Sequence, residues 1–105
     1  MSLRPYGGKV TVGLTAKSLA DLLTDAGISV NQNFYGDLSV QSDPANTAVI
    51  WTGGSNVTPT TNQRGYIVPG GAHSRSLAPG ALALEAVYLV SSVAGQTAYL
   101  DLVEY

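Results

Sequence analysis

The chain has 105 residues and no cysteine; 45% of its residues are hydrophobic, 11% are charged, and its formal net charge is −2. These values predict one folded domain with its own core, and they exclude a disulfide framework, a thiolate metal site and a disordered chain. The few basic residues are widely spaced and no apolar run reaches the roughly 20 residues that span a bilayer, so we expect neither nucleic-acid binding nor a membrane segment.

The N-terminal part of the chain is predicted to be an arm followed by a strand. Residues 1–8 contain one proline and two glycines, which predicts an irregular, flexible arm ahead of a single β domain over residues 9–105. This arm is either a frayed terminus, which we favour, or a segment that reaches a neighbouring subunit. From Lys9 to Leu14, apolar residues alternate with others in the pattern of a half-buried strand.

A short helix is predicted near residues 16–26. Three leucines in this segment fall on one helical face and form an apolar stripe. Thr15 is placed to cap the start of the helix, and Gly27 is placed to end it in a left-handed conformation. The three leucines are Leu19, Leu22 and Leu23.

Strands and turns are expected to alternate through the middle of the chain. A strand over residues 38–41 is bracketed by a predicted turn at 36–37 and by another over 42–46, whose polar side chains can bond the backbone. Residues 47–52 are almost continuously apolar, which predicts a strand covered on both faces. We therefore expect Trp51 to be packed rather than displayed.

The longest segment without apolar periodicity covers residues 53–63. It is polar and uncharged, and Val57 is its only aliphatic residue. Loops of this length in a compact domain are usually functional or mobile. We interpret this loop as a contact element that the double glycine at its start aims at a neighbour.

The C-terminal third is predicted to consist of strands and tight turns. A short strand is expected over 65–68, then one in which His73, Arg75 and Leu77 share a face. A long strand over 82–90 and a closing strand over 97–105 are expected to form a hairpin around Gly95. The whole pattern predicts a mainly β fold, an antiparallel β-sandwich or jelly roll of about seven or eight short strands with one helix.

Residues that could carry chemistry do not form a recognisable catalytic or metal-binding pattern. His73 is the only histidine, and the acidic residues are too scattered to complete a zinc site around it. The glycine-rich turns lack the lysine of a phosphate loop, and no nucleophile elbow is present. We expect no enzyme activity, no cofactor and no catalytic or metal-binding residue.

The low charge leaves two interpretations of the surface. It is either a simple Ser- and Thr-rich β surface or a surface partly buried in an assembly. The six tyrosines fit both, because tyrosine is favoured at the edge of a core and at protein interfaces. The candidate interface residues are Tyr6, Asn56, Val57, Thr58, Thr60, Arg64, Tyr66 and Tyr88.

Three short motifs stand out, IWTGGSNVT at 50–58, YIVPGG at 66–71 and LTAKSLA at 14–20, and a terminal strand pair is expected over 84–90 and 96–103. Together they resemble the motifs of small tailed-bacteriophage virion proteins, of the capsid-decoration (cement) or head-fibre type. The chain departs from the family pattern in its tryptophan and in its longer loop over 53–63.

The resemblance implies a structural, non-enzymatic subunit that decorates or cements a phage capsid. Its implied partners are the major capsid protein and further copies of itself, with a homotrimer favoured. Its implied location is the capsid surface of the virion, after assembly in the host cytoplasm. A carbohydrate- or receptor-binding module of a phage fibre or tail is the alternative.

Overall fold

A computed structural model of the chain describes residues 4–29, 35–76 and 83–104. Within these ranges the fold is mainly β, with eight strands in two four-stranded antiparallel sheets and one helix, as the sequence predicts. The strands are β1 (Arg4–Val12), β2 (Lys17–Ser18), β3 (Tyr35–Ser42), β4 (Ile50–Gly53), β5 (Gln63–Ile67), β6 (Ala72–Arg75), β7 (Tyr88–Ser91) and β8 (Gln96–Glu104), and the helix is α1 (Leu19–Asp25).

The strands pair in a nested order along the chain. The first strand pairs with the last, β2 pairs with β7, β3 with β6, and β4 with β5. Two further pairs, β3 with β8 and β4 with β7, complete sheets of order β1-β8-β3-β6 and β2-β7-β4-β5. Strands β5 and β6 are consecutive in the chain but form edges of different sheets.

Both sheets and the helix contribute side chains to one hydrophobic core. Val40 and Leu100 come from the first sheet, and Ile50 and Leu89 come from the second; none is more than 3% exposed. The leucine stripe of α1 is buried in the same cluster, as its spacing predicts. Each fully buried leucine of this kind contributes about 1.5–3 kcal/mol to the stability of the fold.

The helix begins three residues later than its composition predicts. Ser18 is the N-cap, and its Oγ accepts a hydrogen bond of 3.1 Å from the backbone N–H of Asp21. Thr15 cannot cap this helix because β2 intervenes and pairs with β7. Gly27 has a φ of 80°, the left-handed conformation predicted for the end of the helix.

The prediction of an irregular arm is wrong for residues 4–8, the part of the arm that the structure describes. Residues 4–8 belong to β1 and pair with β8 along its C-terminal half. Gly7 has a φ of 129° and permits this pairing, so the glycine marks a close strand approach rather than disorder. The strand then ends at Val12, and Leu14, predicted on its buried face, is 60% exposed.

A second correction concerns the predicted turn at Gly36–Asp37. Both residues lie inside β3, where the register against β8 shifts between Gly36 and Ser39. Asp37 has a φ of 43°, so the turn-forming residues make a β-bulge within a continuing strand.

The predicted C-terminal hairpin is also wrong. The strand expected over 82–90 is also shorter than predicted. Leu84 is buried but lies in a turn, which is closed by a 3.1 Å hydrogen bond from the Ala86 N–H to the Ala83 carbonyl. Strand β7 therefore begins only at Tyr88. Strand β7 belongs to the second sheet and β8 to the first, so the segment around Gly95 crosses between sheets. Residues 77–82, which include Leu77 and the start of the predicted long strand, lie outside the described residues.

Candidate functional site

The outer face of the second sheet carries an aromatic pair. Ile50 and Ile67 are paired and buried in the core, so the next residues, Trp51 and Tyr66, point to the opposite face. Their ring centroids are 5.9 Å apart and the ring planes are tilted by 56°. Tyr66 is 66% exposed on an edge strand. This pair is the most exposed aromatic feature of the described chain.

Tyr88 lies on the same face of the sheet. It is separated by one residue from Val90, which is paired with Trp51 and is 1% exposed, and alternation therefore places Tyr88 on the same face as the aromatic pair. We call Trp51, Tyr66 and Tyr88 the aromatic face. The fold thus brings together two of the predicted interface residues, around a tryptophan that was expected to be packed. Trp51 is half-buried, so the predicted cover on both faces of its strand is incomplete.

The polar loop after β4 is held in place by one buried anchor. Val57 is 3% exposed, so its side chain supports the loop and is not available to a partner. A Cβ atom at Gly53 would lie 2.8 Å from Val57 Cβ and 2.9 Å from the Asn62 carbonyl oxygen. The glycine at the start of the loop is therefore required by the close packing of the loop's two ends.

Hydrogen bonds within the same loop fix the residues around Thr58. Thr58 Oγ1 accepts from the backbone N–H of Thr61 at 2.8 Å and from that of Thr60 at 3.2 Å. Asn62 Nδ2 donates to the Asn56 carbonyl at 3.1 Å. Asn56 and Thr60 are exposed, so these two predicted residues remain the ones the loop presents to its surroundings.

Tyr6 is remote from the aromatic face in the topology. It lies on β1, an edge strand of the first sheet, and its hydroxyl donates to the Ser29 carbonyl. Its ring packs on Tyr35, with a centroid distance of 4.9 Å. The side chain is half-buried by these contacts, which gives it a structural role at the edge of the core.

A cleft lies between the edge strands of the two sheets, and sequence analysis missed it. Its volume is about 230 Å³, and its lining includes Arg64 from β5 and both His73 and Arg75 from β6. We call this feature the cationic cleft. The other walls are mainly apolar and include Leu38, Val40 and Val87. No sequence pattern joins these residues, because the cleft forms only where the two sheets meet.

The turn over residues 42–46 uses its polar side chains as predicted. Asp43 Oδ1 accepts from the Ala45 N–H at 2.8 Å, and Asp43 Oδ2 accepts from the Tyr99 hydroxyl at 2.6 Å. The Tyr99 hydroxyl, followed by the Ala45 N–H, lowers the pKa of Asp43, and the same carboxylate raises the pKa of Tyr99. Asn46 further ties the turn to β8 through two hydrogen bonds with the backbone of Thr97.

Among the described residues, no group of three histidine or acidic side chains is arranged to hold a metal ion. In the same part of the chain, no helix has the length and apolar character needed to cross a membrane. No protein-family model matches the chain, and neither do any of the curated proteins or solved structures compared with it.

Proposed function

We propose that the chain is a non-enzymatic structural subunit of a tailed-phage virion. In this proposal it decorates or cements the capsid through self-association and through contact with the major capsid protein. The short motifs at 50–58, 66–71 and 14–20 suggest the family. Two features of the fold support the proposal, namely the order of strand pairing and the aromatic face.

The order of strand pairing supports a jelly-roll sandwich. In a jelly roll, a long antiparallel hairpin of eight strands wraps into two sheets, so that the first strand pairs with the eighth, the second with the seventh, and so on inwards. All four nested pairs occur here. Jelly rolls are used by viral capsid proteins and by lectins, so this topology is in keeping with both the proposed function and its alternative.

The aromatic face is the observation that carries the proposal of self-association. Tryptophan and tyrosine are enriched in protein interfaces, where their large rings lose water on contact. Val68, just after β5, is 48% exposed and extends the apolar surface next to Tyr66. The adjoining loop over 54–62 contains no charged residue, so covering it would desolvate no ion. Self-association through such a surface can close into a symmetric ring, and a homotrimer is the form that the resemblance implies.

Light scattering coupled to size-exclusion chromatography tests self-association. The natural chain is expected to elute as a trimer, and Tyr66→Ser to shift toward the monomer. Val93→Ser is the matched control, because Val93 is 44% exposed and follows the end of β7 that is opposite Tyr88, outside both the aromatic face and the loop over 54–62. A monomer at high protein concentration would overturn the self-association. Mass spectrometry of purified phage particles tests the location, and absence of the protein from them would refute a virion role.

Carbohydrate binding by a fibre module is the second candidate, and the exposure of the Trp51–Tyr66 pair favours it. Aromatic rings displayed on a β surface can stack on the apolar face of a sugar. Because Trp51 is the only tryptophan, its fluorescence reports directly on this surface. A shift on addition of glycans would favour the fibre module. A shift that depends only on protein concentration would favour self-association.

A further inference from the structure

The cationic cleft gathers an unusual share of the positive charge of the chain. The sequence has five lysine and arginine residues, and two of these five line this one cleft together with the only histidine. No acidic side chain is among the described residues that line it. The described ion pair joins Lys17 to Asp25 and involves neither arginine, and Arg75 also borders a second groove, which is lined by Asp37 and Asp101. Within the described residues, a chain with net negative charge thus carries a cleft with two arginines in its lining.

The register of β6 directs two of these side chains inward. His73 is paired with Val40 and Arg75 with Leu38 on β3, and directly paired residues of antiparallel strands share a face. Val40 and Leu38 are 1% and 4% exposed, so this face is the one that meets the core. Because β6 is an edge strand, its inward side chains reach the rim of the core instead of its interior.

The second sheet supplies Arg64 through an irregularity in β5. Thr52 pairs with Gly65 and Gly53 pairs with Gln63, so Arg64 has no partner in this ladder. Such bulges re-aim the side chain of the extra residue. Tyr66 lies on the outer face two residues later, whereas Arg64 lines the cleft between the sheets.

We propose that the cationic cleft binds a small organic carboxylate with an apolar body. Arginine pairs with carboxylates through two parallel hydrogen bonds, and the histidine ring offers a further N–H donor. The apolar walls formed by Leu38, Val40 and Val87 suit a hydrocarbon body better than a sugar. The volume of about 230 Å³ is below the roughly 300–1,000 Å³ of drug-sized pockets, which restricts the ligand to a small acid. This inference does not depend on the proposed function.

Titration of the ¹⁵N-labelled chain, followed by NMR, tests the ligand class, with benzoate as the probe. Saturable shifts are expected at the amides of Arg64, His73 and Arg75. Benzamide has the same ring without the charge, and it is expected to bind at least about ten-fold more weakly, since charge-assisted hydrogen bonds are lost. Equal binding of benzoate and benzamide would overturn the proposal. Glucuronate is expected to bind more weakly than benzoate, and tighter binding would refute the apolar body.

Substitutions of the two arginines test the site itself. Arg64→Gln and Arg75→Gln are each expected to weaken benzoate binding by about ten-fold. Lys9→Gln is the matched control, since it removes the same charge from an exposed position on β1 that does not line the cleft. Thermal unfolding of each variant verifies that it is folded. Benzoate affinity unchanged in both arginine variants would overturn the assignment.

Discussion

Gly7 and Leu100 are in closer contact than any side chain would allow. A Cβ atom placed on Gly7 would lie 2.1 Å from the Leu100 carbonyl oxygen, which is backbone and cannot move aside without disturbing β8. The glycine therefore permits β1 and β8 to pair over their whole length, and this pair joins the two ends of the described chain.

Gly7→Ala is expected to destabilise the fold strongly. The positive φ alone costs about 1–3 kcal/mol for a residue with a side chain, and the clash with β8 adds to this cost. Chemical denaturation measures the change in the free energy of unfolding. Gly13→Ala is the control and is expected to have little effect, because a Cβ atom there meets nothing within 4 Å. Equal stability of the two variants would contradict the contact.

Ser18→Ala is expected to cost about 0.5–2 kcal/mol of stability, because it removes the N-cap hydrogen bond of α1. Thr15→Ala is the informative comparison, since Thr15 is the cap that helical composition alone predicts. The structure has Thr15 exposed and ahead of β2, so its replacement should leave the unfolding midpoint nearly unchanged. A larger loss for Thr15→Ala than for Ser18→Ala would place the start of the helix where the sequence predicted it.

The fold class was predictable because burial imposes a local period on the sequence. The alternation after Lys9 and the leucine stripe of α1 each report which side of an element faces the core. Strand partners were not predictable in this way, because pairing depends on contacts between distant segments. The turn around Gly95 illustrates the difference: its residues fit a hairpin, yet the strands on either side enter different sheets.

The candidate site was predictable only in part, because residue type can be read locally whereas the meeting of distant residues cannot. Tyr66 and Tyr88 could be chosen from residue type, since tyrosine favours interfaces, and they lie on the same face of the second sheet as Trp51. Arg64 was selected for an interface, but its convergence with His73 and Arg75 was missed. Those residues belong to two edge strands of separate sheets, and only the packing of the sheets brings them to one cleft.

The hydrogen bond between Tyr99 and Asp43 is expected to stabilise the fold only between two pH limits. Because the folded state lowers the pKa of Asp43, its contribution is lost as pH falls below the ordinary aspartate value of about 3.9. Because the folded state raises the pKa of Tyr99, its contribution is lost as pH rises above the ordinary tyrosine value of about 10. Tyr99 is exposed and Asp43 is only partly buried, so the effect should be small.

Thermal melts of the natural chain and of Tyr99→Phe across this pH range measure that contribution. The difference in Tm should be constant near neutral pH and should shrink toward zero at both extremes. Tyr66→Phe is a suitable control, because Tyr66 is also an exposed tyrosine and the described bond to Asp43 comes from Tyr99. A Tyr99→Phe difference that did not change with pH would rule out the coupling of the two groups.

Val57→Ala tests whether the polar loop depends on its buried anchor. Removing two buried methyl groups is expected to cost about 1–3 kcal/mol, since the loop ends pack on this side chain and leave a cavity when it is shortened. Hydrogen exchange should also rise at the amides of Thr60 and Thr61, whose N–H groups bond to Thr58 within the same loop. Val93→Ala makes the same chemical change at a position that is 44% exposed, and it should be nearly neutral. If the two substitutions had equal effects on stability and exchange, the loop would be held by its hydrogen bonds alone.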